Sequence, residues 1–375
     1  MARQSASIII VGGGVIGLSI ARALAIRGGN KVLLLERAGF GQEASFAAAG
    51  MLAPQAEADQ PDQFFNLASR SRDSYPAFAH SLLEETGIDV ELDLTGTLYL
   101  AFSSEDLKEI EERYNWQRHA GLAIEKLTAN QIRTLEPCIS RNVCGGLRFP
   151  KDVQVENRRL VRALIDSCLR YEVSLMPDIT VDSLRLVSDR VAGVETSRGF
   201  FASDTVVVAG GAWTSRIKGL PDIPIEPVRG QMLCLQGQSD SVRHIIYSPR
   251  GYVVPRRDGR LLAGSTTERV GFNKEVTEAG IQSIKSSTFE MSQVISSRPV
   301  VNSWAGLRPR APDSLPLLGP YDEIEGLVYA TGHYRNGILL APITGELIAG
   351  AIIDNEVPPL LATFAANRFG LVQAN

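Results

Sequence analysis

Cysteine, histidine and excess positive charge are all scarce in this chain of 375 residues, and each shortage removes a class of function. Cys138, Cys144, Cys168 and Cys234 show no CxxC spacing, which argues against a zinc site or a dithiol redox centre. They are expected to be buried, reduced thiols of a cytoplasmic protein, and no metal site is expected. With 38 Lys and Arg against 42 Asp and Glu, the formal net charge of -4 supplies no field to hold a nucleic-acid backbone. No run of about 18 apolar residues marks a membrane span. The apolar stretch 8–24 is interrupted by Gly12, Gly13, Gly14 and Gly17 and has no small-residue cleavage site, so it does not read as a secretory signal. There is no internal repeat and no low-complexity segment.

What is present fits a soluble globular protein. The hydrophobic fraction is 44% and the charged fraction 21%, enough to bury a sizeable core. The length suits two intertwined domains at roughly 100 to 200 residues each. Residues 7–11 form an apolar strand, 15–27 carry apolar residues at helical spacing, and 31–36 are strand-like again, a βαβ unit. Helices are expected over 66–85, 104–119 and 160–171, with an alternating stretch at 90–102 between the first two. A buried strand at 206–208 runs into Ala209-Gly210-Gly211, and a last strand at 327–331 leads through a glycine turn to an apolar helix over 338–353. Between them, 224–303 alternates and is cut by turns, with 256–260 joining the strands 252–255 and 261–265 of a hairpin. The expectation is an α/β fold of mixed character: a Rossmann-like nucleotide domain, discontinuous over 1–85, 150–222 and 305–375, and a mostly antiparallel substrate domain over 86–149 and 223–304.

Gly12-Gly13-Gly14-Val15-Ile16-Gly17 satisfies GxGxxG between a strand and a helix. The glycines permit a tight turn and let a pyrophosphate approach the helix N-terminus. Glu36 closes the second strand about twenty residues later, where a carboxylate accepts hydrogen bonds from an adenosine ribose. A glycine turn that merely packs helix on sheet leaves that acid unexplained. The acid argues against the 2′-phosphate of NADP, with Arg37 beside it as the contrary sign, and FAD and NAD are not separated by these residues alone.

Three further segments decide between them. Ala44-Ser45-Phe46-Ala47-Ala48-Ala49-Gly50-Met51-Leu52-Ala53-Pro54 offers one hydroxyl donor among side chains small enough to lie against a cofactor. Together with Gly306-Leu307-Arg308-Pro309 followed by Pro316-Leu317-Leu318-Gly319, and the run Gly332 through Pro342, it resembles the glycine oxidases of thiazole biosynthesis, within the D-amino acid oxidase superfamily of FAD-dependent oxidoreductases. The resemblance runs from residue 8 to about 353 and is weak between 64 and 205. It implies FAD held by Gly12, Gly14, Val15, Ile16, Gly17, Glu36, Arg37, Ala44, Ser45, Ala49, Gly50 and Met51. The closing motif adds His333, Tyr334, Arg335, Asn336, Gly337, Ile338 and Leu339, and Val181 faces the adenine by a looser alignment. Some relatives attach flavin through a cysteine near the C-terminal motif or a histidine near the N-terminal one. No cysteine follows Cys234 and no histidine lies in 44–51, so the FAD is expected to be non-covalent.

The same resemblance implies that Arg308 grips the carboxylate of an amino acid, which a guanidinium does with two parallel charge-assisted bonds. Tyr252 assists, Arg335 lies near substrate and flavin, His333 positions the flavin, and Met51 limits side-chain size. The implied reaction passes a hydride from substrate Cα to flavin N5, leaving an imine that hydrolyses, while dioxygen becomes hydrogen peroxide; no protein base is required. Glycine, sarcosine and D-alanine are the expected substrates, iminoglycine for thiazole and thiamine synthesis the expected product, and a homotetramer the expected assembly. A quinone-linked D-amino acid dehydrogenase is the alternative with the same clamp, though no basic amphipathic anchor is visible. The flavin domain of a tRNA-modifying enzyme normally brings a partner methyltransferase domain and a basic face, and neither is visible in this sequence. A flavin-binding assembly protein without turnover would need no clamp.

Overall fold

The computed structural model describes residues 4–238 and 242–370. At its centre the strand Ile8–Val11 pairs in parallel with Val32–Leu35 on one side and Thr205–Val208 on the other. The sheet has six strands in the order Leu317–Pro320, Leu327–Thr331, Thr205–Val208, Ile8–Val11, Val32–Leu35, Ser174–Met176, and only the first pair is antiparallel. Continuous apolar strands of this kind must be covered on both faces. Alternate residues serve the two sides. Ile8 and Ile10 join a core with the helices Val15–Arg27, Gln63–Thr86, Asn157–Arg170 and Gly337–Ile353, while Ile9 and Val11 face the four-stranded sheet that carries Val181, Val194 and Phe201.

A second sheet has eight strands, ordered Val300–Arg310, Glu226–Leu235, Leu261–Gly264, Gly251–Pro255, Ile245–Ser248, Thr97–Ala101, Gly145–Phe149, Glu125–Thr128. Every pairing in it is antiparallel except Thr97–Ala101 with Ile245–Ser248. The hairpin turn falls where Arg256-Arg257-Asp258-Gly259-Arg260 predicts it, closed by Arg256 N–H to the Arg260 carbonyl at 2.9 Å. The longest ladder sets Val228 opposite Arg308 and Gly230 opposite Gly306.

Three expectations need correction. Residues 224–303 also contain a helix, Glu278–Met291, capped by Thr277; its buried positions Gly280, Ile284, Thr288 and Met291 follow a helical period, but serines and threonines thin the apolar signal. The stretch 90–102 holds only one short strand, Thr97–Ala101, because Asp93 and Thr95 form a turn through the Asp93 side chain. All four cysteines are free, but only Cys168 and Cys234 are buried; Cys138 is half-buried and Cys144 is exposed, just before the strand Gly145–Phe149. Among the described residues no helix is long and apolar enough to cross a membrane.

The helix Gly337–Ile353 contains Pro342, which has no N–H for the carbonyl of Ile338. The helix Gln63–Thr86 supplies the replacement: the Tyr75 hydroxyl donates to the Ile338 carbonyl, and the Ser71 hydroxyl donates to the Leu339 carbonyl at 2.6 Å. Tyr75 is wholly buried, and burial raises its hydroxyl pKa well above the ordinary tyrosine value. Tyr75→Phe leaves a buried carbonyl unsatisfied and is expected to cost about 1 to 3 kcal/mol of stability, read as a lower urea midpoint. An unchanged midpoint would mean that this carbonyl finds another donor.

Candidate active site

The glycine turn after Ile8–Val11 is enforced by close backbone contact. Gly12 has φ +112°, and a β-carbon there would lie 2.3 Å from the Ala209 carbonyl oxygen; one on Gly17 would lie 1.9 Å from the Gly12 carbonyl oxygen. The helix Val15–Arg27 has no side-chain cap from Gly14. Instead Ser45 Oγ accepts the Val15 N–H at 3.0 Å, so the serine's own hydrogen remains to be donated. Glu36 is fixed by two backbone donors, Gly13 N–H at 2.7 Å and Ala38 N–H at 3.0 Å. Arg37 pairs with Glu43 and lies 3.9 Å above the Trp213 ring centre, so its charge is engaged away from the Glu36 carboxylate.

The second helix N-terminus belongs to Gly337–Ile353, whose N-cap Asn336 also supplies no side-chain cap. Two helix N-termini whose N-cap residues supply no side-chain cap thus present positive partial charge to one cavity. Before it, Tyr334 takes a left-handed φ of +48° and its N–H donates to the Pro309 carbonyl at 2.9 Å. His333 is buried, with Nε2 3.1 Å from Thr344 Oγ1, and burial pushes its pKa down to about 3. It is neutral at working pH. An unfolded histidine titrates at its ordinary 6.5, so between 6.5 and about 3 the unfolded chain binds a proton that the folded chain refuses, and stability rises with pH across that window. At about pH 5 the loss from this one group is about 2 kcal/mol. His333→Gln is therefore expected to lose less stability than the parent on acidification; parallel pH profiles of thermal stability would contradict this.

Arg308 is held by its own neighbours, Nη1 donating to the Thr266 carbonyl at 3.0 Å and Nη2 to Ser265 Oγ at 2.7 Å. Among the described residues no carboxylate forms an ion pair with it. Tyr252 hydrogen-bonds Met232 Sδ at 3.3 Å and continues into a stack of aromatic rings, Tyr247 at 6.2 Å and then Tyr99 at 5.3 Å. Arg335 donates to Glu57 Oε1 at 3.1 Å, and the Glu57 charge holds it firmly protonated. Met51 packs with both the Tyr252 and the Tyr99 clusters.

These groups share one cavity of about 580 Å³, within the usual size range of ligand sites. Every site residue expected from the sequence lines it except Gly17 and Leu339. Gly17 instead lets the first helix close onto the turn, and Leu339 is a core side chain whose carbonyl serves Ser71. The sequence reading missed Glu57, Trp213, Arg216, Gly230 and Met232, all in the wall. Trp213 had a signal, following Gly210-Gly211 at the end of a buried strand, where ligands of parallel sheets bind. Gly230 and Met232 had none, since they reach the cavity only through strand pairing. The donor set fits a flavin dinucleotide: two helix N-termini for diphosphate and isoalloxazine carbonyl, a fixed acid for ribose, and small residues at 44–50 where bulk would intrude.

This fold and cofactor site define an FAD-dependent oxidoreductase. The chain belongs to the FAD dependent oxidoreductase family, whose model matches residues 7–351. It is 35% identical to the glycine oxidase of Pseudomonas aeruginosa over 357 residues, 94% of this chain and 96% of that one. It is 37% identical over 366 residues to the bifunctional protein ThiO/ThiG of Trichormus variabilis, covering 96% of this chain and 55% of the relative, so it spans about half the length of such bifunctional relatives. The crystal structure of glycine oxidase from Geobacillus kaustophilus superposes with a TM-score of 0.92 at 32% identity, over 99% of this chain and 100% of that one.

Proposed function

We propose that this chain oxidises glycine, and other small amines or D-amino acids such as sarcosine and D-alanine, to the imine or oxo acid with release of hydrogen peroxide, and that its iminoglycine feeds thiazole synthesis. The observation that carries the reading is Arg308: a guanidinium facing the cavity with both Nη atoms anchored and no acidic partner among the described residues. A substrate carboxylate supplies the missing charge. When bound, FAD supplies the two-electron oxidation of the amine and the reduction of dioxygen.

The chain's own groups orient and enclose. Arg308 fixes the carboxylate, and Tyr252, whose hydroxyl now rests on a weak thioether acceptor, turns to a carboxylate oxygen at little cost. Met51 and Met232 form part of the wall beside Tyr252, where they would limit the substrate side chain. Arg335 and Glu57 neutralise each other, leaving Arg308 as the cation that selects the substrate. His333, kept neutral and turned to Thr344, holds the closing motif rather than moving a proton. Thiazole synthesis is supported by the relatives named ThiO/ThiG.

The test is anaerobic addition of glycine, sarcosine, D-alanine or D-proline to the purified yellow protein, followed by air and peroxide detection. Bleaching by glycine and recolouring with peroxide is the expected result. Bleaching only by larger D-amino acids, with slow recolouring, would point to a quinone-linked dehydrogenase instead.

A further inference from the structure

After the strand Leu261–Gly264 the chain leaves the eight-stranded sheet and returns at Thr277 to begin a helix. Its root is built around Arg229, which is only 5% exposed. The Arg229 backbone exchanges N–H to carbonyl bonds with Glu268 at 2.8 and 3.0 Å. The guanidinium donates to the Glu268 carboxylate, to Asn273 Oδ1 at 3.3 Å and to the Glu275 carbonyl at 2.9 Å. Gln231 ties Glu268 to Thr277 with bonds of 2.8 and 3.0 Å. A segment secured this way holds one shape.

Its tip reaches the other sheet's side of the cavity. Phe272 packs against Trp213, ring centres 5.7 Å apart, with the Arg216 guanidinium 3.7 Å from the Phe272 centre and that of Arg37 3.9 Å from Trp213. Lys274 Nζ pairs with Glu43 at 2.9 Å. Trp213, Arg216, Arg37 and Glu43 all line the cavity beside Glu36, at the end expected to take the nucleotide. The contact is therefore a closure made by one sheet's loop on the other sheet's wall.

We propose that residues 265–277 are a strap that retains FAD, with Phe272 and Lys274 as its grip on Trp213 and Glu43. For the nucleotide to leave, this corner must open, and cation–aromatic contacts together with the ion pair oppose the opening. The same segment begins with Ser265 and Thr266, the two residues that anchor Arg308. Cofactor retention and substrate clamp are thus carried on one piece of chain.

The measurement is flavin release from desalted holoenzyme on dilution, followed as the appearance of free-flavin fluorescence; it uses no substrate, so it is independent of which amine is oxidised. Phe272→Ala and Lys274→Glu are each expected to speed release about tenfold or more, as loss of a cation–aromatic contact or ion pair at this corner implies. Phe272→Trp, which keeps a ring, should hold release near the parent rate. Val270→Ser, at an exposed position on the same segment, should not change it. Two variants supply the reading, so failure of one to accumulate leaves the other decisive. Release rates within twofold of the parent for whichever of Phe272→Ala and Lys274→Glu is measured, or equal acceleration in Val270→Ser, would overturn the proposal.

Discussion

Arg308→Ala is expected to raise KM for glycine by roughly a hundredfold or more while the protein remains yellow, since each charge-assisted bond to a carboxylate is worth about 1.5 to 3 kcal/mol. The geometry makes the loss specific. Arg308 is fixed from behind by the Thr266 carbonyl and Ser265 Oγ, so its remaining donors are aimed before substrate arrives. Desolvation lowers its pKa from the ordinary arginine value, yet a guanidinium stays charged, and a charge withdrawn from water that forms no ion pair among the described residues binds a carboxylate strongly. Arg308→Lys keeps the charge but loses the planar fork, so it should restore little. Gly230 offers a second way to reach the same group. A β-carbon there would lie 2.2 Å from Arg308 Nη2 and 2.3 Å from Cζ, so Gly230→Ala should push the guanidinium aside and raise KM about tenfold with flavin retained. Steady-state oxygen uptake with a visible spectrum reads both. Colourless Arg308→Ala protein would move Arg308 into the cofactor site, and an unchanged KM would remove it from the clamp.

Gly12→Ala should yield protein without flavin. The new methyl would meet the Ala209 carbonyl oxygen at 2.3 Å, and with the methyl fixed to its Cα and the oxygen part of the backbone, both at the ends of paired parallel strands, neither rotates away. The φ of +112° adds a conformation that L-residues rarely adopt. Relief requires the turn to leave the strand, which carries the first helix N-terminus away from the pyrophosphate position. Gly28→Ala is the matched comparison: φ is +77° with ψ 176°, but nothing lies within 4 Å, so about 1 to 3 kcal/mol of backbone strain is added and flavin is kept. The ratio of flavin to protein absorbance after gel filtration decides. Stoichiometric flavin in Gly12→Ala would show that the turn is softer than its contacts indicate.

The parts of the molecule legible in the sequence are those that local chemistry dictates. Gly12 through Gly17 with Glu36 announce a strand, a turn and a helix because each glycine answers a contact within that short unit. The hairpin at 256–260 is readable for the same reason. What was not legible depends on partners far along the chain. Thr97–Ala101 lies between Gly145–Phe149 and Ile245–Ser248, and no periodicity within it says so. Glu57 enters the cavity because Asp152, nearly a hundred residues away, accepts the Ala56 N–H at 2.7 Å and fixes the short helix Pro54–Glu57. Leu339 follows Ile338 in the motif, but its side chain packs in the core and does not line the cavity, a placement set by the helix packing against Gln63–Thr86.

The order of strands in the central sheet also constrains how the protein is made. Ile8–Val11 and Val32–Leu35 leave the ribosome well before their partners, since Thr205–Val208 and its neighbour Leu327–Thr331 arrive some two and three hundred residues later. The second helix N-terminus of the cofactor cavity starts only at Gly337. A nascent chain therefore carries an exposed apolar strand pair until those later strands are made, with long loops of high closure entropy still to form. Flavin cannot template the early steps, because half of its cradle does not yet exist. A complete flavin cradle thus exists only once Gly337 and its helix have been made, and until then the first βαβ unit exposes an unpaired apolar edge that favours aggregation.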